Sequence, residues 1–225
     1  MSDKTQSDKI QKNTEPTSRR LNHPVSAVPV IPGFAPVAAR GAYRLMEATD
    51  AAAHQQLRTF IGEQFRIHFG ADVPDDTRRL LGVFGPEGEL AAAFGIRTRA
   101  DGFFSEHYLG GSLDAALFQK TGERIDAERV VEISHFSIAS PKVFARIVPL
   151  LAEGLALLHF DHVVCTATRC LVRYFARRYL TPTILTEARA ADLPAPVREC
   201  WGSYYLKDPA VAFGHLSGVL TGSSR

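Results

Sequence analysis

The sequence is poor in the residues that build metal centres, disulfide frameworks and membrane spans. Cysteine occurs only at Cys165, Cys170 and Cys200, an odd set without the paired close spacing of a zinc site. Reduced, buried thiols in a cytoplasmic protein are therefore the expectation. His159 and His162 have no further ligand close by in sequence and no His-Glu-x-x-His occurs, so no metal is expected. A Gly-x-Ser-x-Gly elbow and a Walker loop are both missing, which removes the common signatures of serine hydrolases and nucleoside triphosphatases. The most apolar helical stretch, 143–160, contains Arg146, Pro149 and Glu153 and suits a core helix better than a membrane span. No internal repeat is found.

Charge of one sign is also lacking. The formal net charge of +2 comes from the first twenty residues, where five basic side chains oppose three acidic ones; from Leu21 onward 21 basic balance 21 acidic. Such a balance argues against a nucleic-acid binder that relies on a general basic field. The N-terminal stretch is polar and has no apolar core of a secretory signal, so residues 1–22 are expected to be a disordered tail. Residues 23–42, with Pro24, Pro29, Pro32 and Pro36, read as an extended segment lying against the domain. With 45% hydrophobic content, the remaining 43–225 suit a single domain with one sizeable core.

Hydrophobic periodicity then orders the elements. A short first strand at 43–48 precedes a helix in which Leu57, Phe60, Ile61 and Phe65 recur at helical spacing up to about His68. Two strands, 80–84 and 90–98, flank the turn sequence Gly85-Pro86-Glu87-Gly88 and read as an antiparallel hairpin. A short helix at 113–120 follows, then a strand at 130–140, a helix at 142–160, a strand at 162–168 and a helix at 169–180. This alternation implies parallel neighbours. Final strands are expected at 183–187 and 201–206, with a helical tail from Pro209.

The most informative segment runs from Val130 to Ser140, a β-branched and aromatic strand interrupted by Glu132, Ser134 and His135. Strict alternation sends Glu132, Ser134, Phe136 and Ile138 to one face, so a carboxylate sits on a mostly apolar surface. An ionised carboxylate there is either paired through a hydrogen bond or an arginine, or put to use. Burial beside Phe136 and Ile138 is expected to raise its pKa toward neutrality.

The element order resembles the GNAT acyltransferase fold, which implies an α/β mixed central sheet with helices on both faces. Four strings are similar to the thermostable hemolysin family: Glu106-His107-Tyr108-Leu109, Glu132-Ile133-Ser134-His135-Phe136, Cys165-Thr166-Ala167-Thr168-Arg169 and Trp201-Gly202-Ser203-Tyr204-Tyr205. The Glu132 string also resembles the Glu-x-Ser-Arg-Phe strand of acyl-homoserine-lactone synthases, with His135 in place of arginine. The resemblance implies N-acyl transfer from a pantetheine thioester to a small amine or amino acid, with no permanently bound cofactor. Its donor would be acyl-CoA or the phosphopantetheine of an acyl carrier protein. It puts a pantetheine ledge on Phe136, Ser137, Ile138 and Ala139, with Thr166 across a splay between two parallel strands. Glu132 is then base or amine anchor. Glu106, His107, Tyr108 and Ser134 line the acceptor side, and Trp201 and Tyr205 belong to the acyl or acceptor pocket.

This chain departs from the GNAT pattern in two places. No glycine occurs in Ile138-Ala139-Ser140-Pro141-Lys142-Val143-Phe144, where the pattern has a loop that closes around the CoA pyrophosphate. Phe175 occupies the expected slot of the tyrosine that protonates the leaving thiolate, with Tyr174 on another face and Tyr204 as a substitute. A carrier protein asks less of the loop, and Arg169, Arg173 and Arg177, at i, i+4 and i+8, make one basic stripe for docking it. The alternatives are a membrane-active hemolysin, acting directly or through a lipid product, and a GNAT-shaped binding module without catalysis.

Overall fold

The computed structural model describes residues 31–222 apart from 75, 180 and 181, so the expected tail at 1–22 lies outside the described residues. Along the chain come β1 (Phe34–Arg40), β2 (Tyr43–Ala48), α1 (Ala51–Phe69), β3 (Arg79–Phe84) and β4 (Leu90–Arg97). Next are α2 (Glu106–Leu109), α3 (Leu113–Thr121), β5 (Val130–Ile138), α4 (Phe144–Leu157), β6 (His162–Ala167) and α5 (Arg169–Arg178). The chain continues with β7 (Thr183–Glu187), α6 (Ala195–Glu199), β8 (Ala210–His215) and α7 (Leu216–Gly222). The strands form one sheet in the order β1-β2-β3-β4-β5-β6-β8-β7. Every neighbouring pair is antiparallel except β5 and β6.

Helices cover both faces, as the mixed-sheet expectation required. Asp50 caps α1 by accepting the Ala53 amide at 2.8 Å, and Gly70 ends the helix with a left-handed φ of 61°. Between those stops Ala53, Leu57, Ile61 and Phe65 recur every fourth residue and are buried against one sheet face. On the other face α4 buries Ile147, Leu150, Leu151 and Leu155, joined by Leu216 of α7. Ser140 starts this helical stretch by accepting the Lys142 amide at 3.3 Å, with Pro141 at the first position.

Three expectations change. Part of the proline-rich segment is a strand: Phe34–Arg40 pairs antiparallel with β2, with a bulge between Pro36 and Ala38, so the sheet begins before residue 43. An edge strand can carry Pro36 because one side of its backbone needs no partner. The segment 201–206 is no strand. Trp201, Tyr204 and Tyr205 turn inward from a turn and a short 3₁₀ helix at Tyr204–Lys207 that is tied to the end of α1. The backbone amide and hydroxyl of Ser203 both donate to the Phe69 carbonyl, at 2.8 and 3.0 Å. The last strand is instead β8, where a helical tail was expected, and only 216–222 are helical. β8 is inserted between β6 and β7, and its Val211 and Phe213 fill the core on the α1 side.

α4 lies close enough to the β1–β2 edge that a Cβ at Gly154 would stand 2.3 Å from Leu45 Cδ2 in a fully buried setting. Gly154→Val should therefore lower stability by about 1–3 kcal/mol through overpacking, measured by urea denaturation with an unchanged m-value.

Candidate active site

The site is made where two parallel strands part. β5 and β6 pair from Val130 and His162 as far as Ile133 and Cys165, and no further, although β5 runs on to Ile138 and β6 to Ala167. On its other side β5 stays paired with β4 but carries one extra residue: Ser137 faces Ala93 and Ser134 faces Gly95, leaving His135 and Phe136 both opposite Phe94. His135 takes up the slack with a left-handed φ of 51°.

That bulge corrects the alternation read from sequence. Glu132 and Ser134 keep to the α1 face, while Phe136 and Ile138 are moved to the α4 face beside Ile133, Phe94 and Phe144. It also sorts the expected ledge. Ser137 is paired with Ala93 of β4, its hydroxyl turned back to the His135 carbonyl at 3.1 Å, and the Ala139 amide donates to Ala91 at 2.9 Å, so neither lines the cleft. The backbone polar groups of Ile138, which alternate with these, face the opening.

Glu132 is 2% exposed. Its two oxygens accept the backbone amides of Phe104 at 2.6 Å and Ser105 at 2.8 Å, which suspend the start of α2 from the sheet. Burial pushes the carboxyl up to about 7, against the opposing pull of those amides, the Ser105 hydroxyl and Arg97. Of the two readings the sequence left open, the hydrogen-bonded one is met by these two amides, while burial holds the carboxyl toward neutrality. Its cross-strand neighbour is Arg97, whose guanidinium reaches Asp76 at 2.5 Å. Next to it the Ser134 and Thr77 hydroxyls are 3.1 Å apart, folded tightly over Gly95, where a Cβ would lie 2.4 Å from Thr77.

A largely apolar cleft of about 290 Å³ runs through the parted strands and is lined from both faces of the sheet. On the α4 side its walls include Phe136, Phe144, Leu151, Leu155 and Phe175. On the α1 side they are Phe65, Phe69, Phe104, Tyr108, Trp201 and Tyr204, and Arg97, Ser134, Cys165 and Thr166 stand between the two. Glu132 lies one layer behind Arg97, Phe104, Tyr108 and Ser134 and is not itself on the wall.

The other sequence candidates divide. Tyr204 is buried and gives its hydroxyl proton to the Thr166 carbonyl at 2.7 Å, on the strand edge that β5 has left. Trp201 stacks on His135, ring centres 5.5 Å apart and 8° from parallel. Tyr108 meets Tyr205 hydroxyl to hydroxyl at 2.5 Å, tying α2 to the aromatic turn. Burial pushes the Tyr108 and Tyr204 phenols above their usual range, and that of Tyr205 to about 12, so all three keep their protons. Glu106 and His107 do not reach the cleft. The Glu106 carboxylate accepts the Leu113 amide at 2.8 Å at the start of α3, and His107 is exposed against the edge of Phe104. One helical turn can send only part of its residues inward, and here Tyr108 is the one.

Arg169, Arg173 and Arg177 do share the exposed side of α5, Arg169 reaching Asp208 at 3.1 Å. Cys170 is exposed, contrary to the buried-thiol expectation, and Cys165 lines the cleft with its thiol pushed up to about 12 by burial. Among the described residues no group of three or more His, Cys, Asp or Glu is arranged to hold a metal. Sequence reading missed Arg97, Asp76 and the α1 wall of Phe65 and Phe69. A lone arginine closing the apolar run 90–97 was the available signal.

Glu132 makes a signed prediction. Its folded pKa lies above the ordinary carboxylate value of about 4.5, so the native state holds its proton more tightly, and the associated stability is complete below about pH 4.5 and lost as the pH rises through about 7. Urea denaturation should show the protein losing about 3 kcal/mol over that interval relative to Glu132→Gln. Parallel pH profiles for the two proteins would refute the raised pKa.

Among curated proteins no match was found. Solved structures are similar in fold. FeeM, an N-acyl amino acid synthase from uncultured soil microbes, superposes with a TM-score of 0.55 at 12% identity, covering 80% of this chain and 94% of its own. An uncharacterized protein from Bacillus halodurans gives 0.51 at 12% identity, covering 84% of this chain and 95% of its own. The AHL synthase LasI gives 0.50 at 13% identity, covering 77% of this chain and 89% of its own. The architecture is thus a GNAT-like N-acyltransferase fold. Residues 47–220 match the thermostable hemolysin family, which covers the parted strands, the Glu132 loop and the aromatic turn alike, and the chain belongs to that family.

Proposed function

We propose that the protein is a cytoplasmic N-acyltransferase that moves an acyl group from an acyl carrier protein or acyl-CoA to a small amine or amino acid. The observation that carries this reading is the apolar cleft passing between β5 and β6, with a buried carboxyl of near-neutral pKa immediately behind it. A pantetheine arm extends along the free backbone edge of β5 at Phe136 and Ile138, and the acyl chain occupies the apolar walls. The amine enters on the α1 side. A carboxylate offers about four lone-pair directions and the Phe104 and Ser105 amides use one on each oxygen, so Glu132 retains acceptor capacity toward the cleft.

In the reaction Glu132 takes the ammonium proton through one bridging water, because it lies behind the wall. The freed amine lone pair attacks the thioester carbonyl carbon. Backbone amides facing the gap stabilise the oxyanion, and its collapse breaks the C–S bond as the amide forms. The second proton, lost from the nitrogen as the amide forms, passes through water to the departing thiolate, so the products are the amide, the thiol and the proton held by Glu132. Tyr204 enters as a positioning residue, holding the Thr166 edge away from β5, since its own proton is committed to that carbonyl. The glycine-free Ser140-Pro141-Lys142 turn offers few amides to a pyrophosphate, which favours the carrier protein as donor, docked on Arg169, Arg173 and Arg177. No helix among the described residues is long and apolar enough to cross a membrane.

Two outcomes are expected. Glu132→Gln should lower turnover by about two to four orders of magnitude, the scale of a lost general base, in steady-state assays on folded protein. Unchanged turnover would remove the base role. Replacing Arg169, Arg173 and Arg177 together by Glu should raise KM for acyl carrier protein at least about tenfold and leave KM for acyl-CoA within about twofold. Equal effects on both donors would overturn the docking assignment. Dye release from liposomes by purified protein without any acyl donor would instead favour direct membrane lysis.

A further inference from the structure

Among the described residues the strands contain three glycines, and two of them are required by packing. A Cβ at Gly82 would lie 2.8 Å from Leu57, and one at Gly95 would lie 2.4 Å from Thr77. Gly214 of β8 is different. A Cβ there would meet nothing within 4 Å, and its φ is not in the left-handed range. Glycine weakens a strand interior and marks a bulge or the close approach of another backbone or a ligand. The pairing of β8 with β6 runs in unbroken register from His215 to Ala210, so there is no bulge. No neighbouring chain crowds the position either, and the space beside it belongs to the cleft.

The surrounding residues give that space a shape. Val211 and Phe213 of β8 fill the core on the α1 side, so alternation leaves Ala212 and Gly214 on the α4 side. On β6, Val163 pairs with Gly214 and Cys165 with Ala212, completing a floor of short side chains. Leu151 and Leu155 of α4, with Leu216 and Val219 of α7, form the roof, and floor and roof all line the cleft. From Ala167, beyond the last pairing of β5 with β6, down to Val163 the floor extends about 13 Å at about 3.3 Å per residue. Bonds of about 1.5 Å in a zigzag chain place roughly ten carbons along that length. Protein interiors are close-packed and an unfilled apolar void lowers stability, so a slot of this form is best explained by an occupant.

We infer that Gly214 sets the length of the acyl chain the protein accepts: the chain lies over β6 and β8 on the α4 side and passes Gly214 on its way under α7. This rests on the acyl-transfer reading and names its donor class, a straight acyl chain of roughly ten carbons and not an acetyl group. The thioester itself stays at the parted end of β5, so chain length is read away from the reacting carbon. An acetyl group would leave floor and roof facing an empty slot, whereas a long chain covers both with apolar contact. Any side chain added at Gly214 points into the same slot and shortens it.

The test uses S-butyl-pantetheine and S-decyl-pantetheine, thioethers that carry the arm common to both donors and cannot transfer their chains. Each is titrated by calorimetry into the full-length protein. The decyl compound should bind at least about a hundredfold more tightly, a fraction of what its additional buried methylenes can contribute. Gly214→Leu should cut that ratio to about fivefold or less, with a Tm within about 5 °C of the unmodified protein because the new side chain enters vacant space. Equal affinity of the two compounds for the unmodified protein overturns the assignment, whether or not the variant folds. So does an unchanged ratio in folded Gly214→Leu, and so does a larger fall in Tm, which would make the glycine a requirement of the fold. Transfer to an amine with equal kcat/KM from butyryl and decanoyl donors would overturn the inference and leave the acyltransferase reading standing. The expected ratio and its loss in the variant, with no transfer to any amine, would do the reverse.

Discussion

One extra residue in β5 is the constraint on which the site depends. Because His135 and Phe136 together oppose Phe94, the strand twists sharply at the point where its pairing with β6 ends. The same residue reverses the alternation, so that Glu132 and Phe136 serve opposite faces of the sheet. A cleft open to both faces is the result, apolar where Phe136, Phe144 and Leu151 meet and polar where Arg97 and Ser134 approach. Left-handed backbone at a histidine is unfavourable, and the parallel stack of its ring on Trp201 at 5.5 Å offsets that cost. The string Trp201-Gly202-Ser203-Tyr204-Tyr205 thus supports the bulge from across the cleft.

Glu132 connects this geometry to the loop above it. A buried carboxylate must be satisfied, and the amides of Phe104 and Ser105 do so while fixing where α2 begins. That in turn places Tyr108 against Tyr205 and closes the aromatic side of the cleft. The carboxyl is therefore a structural tie whose acid equilibrium burial moves toward neutrality.

Much of this was legible in the chain. The α1 stripe, the hairpin around Gly85-Pro86-Glu87-Gly88 and the run of β5, α4, β6 and α5 follow from periods of 3.6 and 2.0 and from local stop signals, which need no tertiary information. The inwardness of Glu132 was legible too, because a carboxylate inside a β-branched run has nowhere else to go. Its neighbours were not. The aromatic string at 201–206 has strand-like composition, and only its anchorage to the Phe69 carbonyl makes it a turn. Residues 210–215 became a strand because β6 and β7 left a vacant lane between them.

The sequence by itself determined which segments are helices and strands over most of the sheet, and that an acidic residue is buried in the fifth strand. Tertiary structure alone decided that this strand is bulged, that it parts from β6 after Ile133, and that Arg97 comes to stand beside Glu132. The division has a physical cause. Periodicity is a property of consecutive residues, whereas register, bulge position and strand separation are settled by contacts between segments far apart in the chain, where a shift of one residue exchanges one face of the sheet for the other.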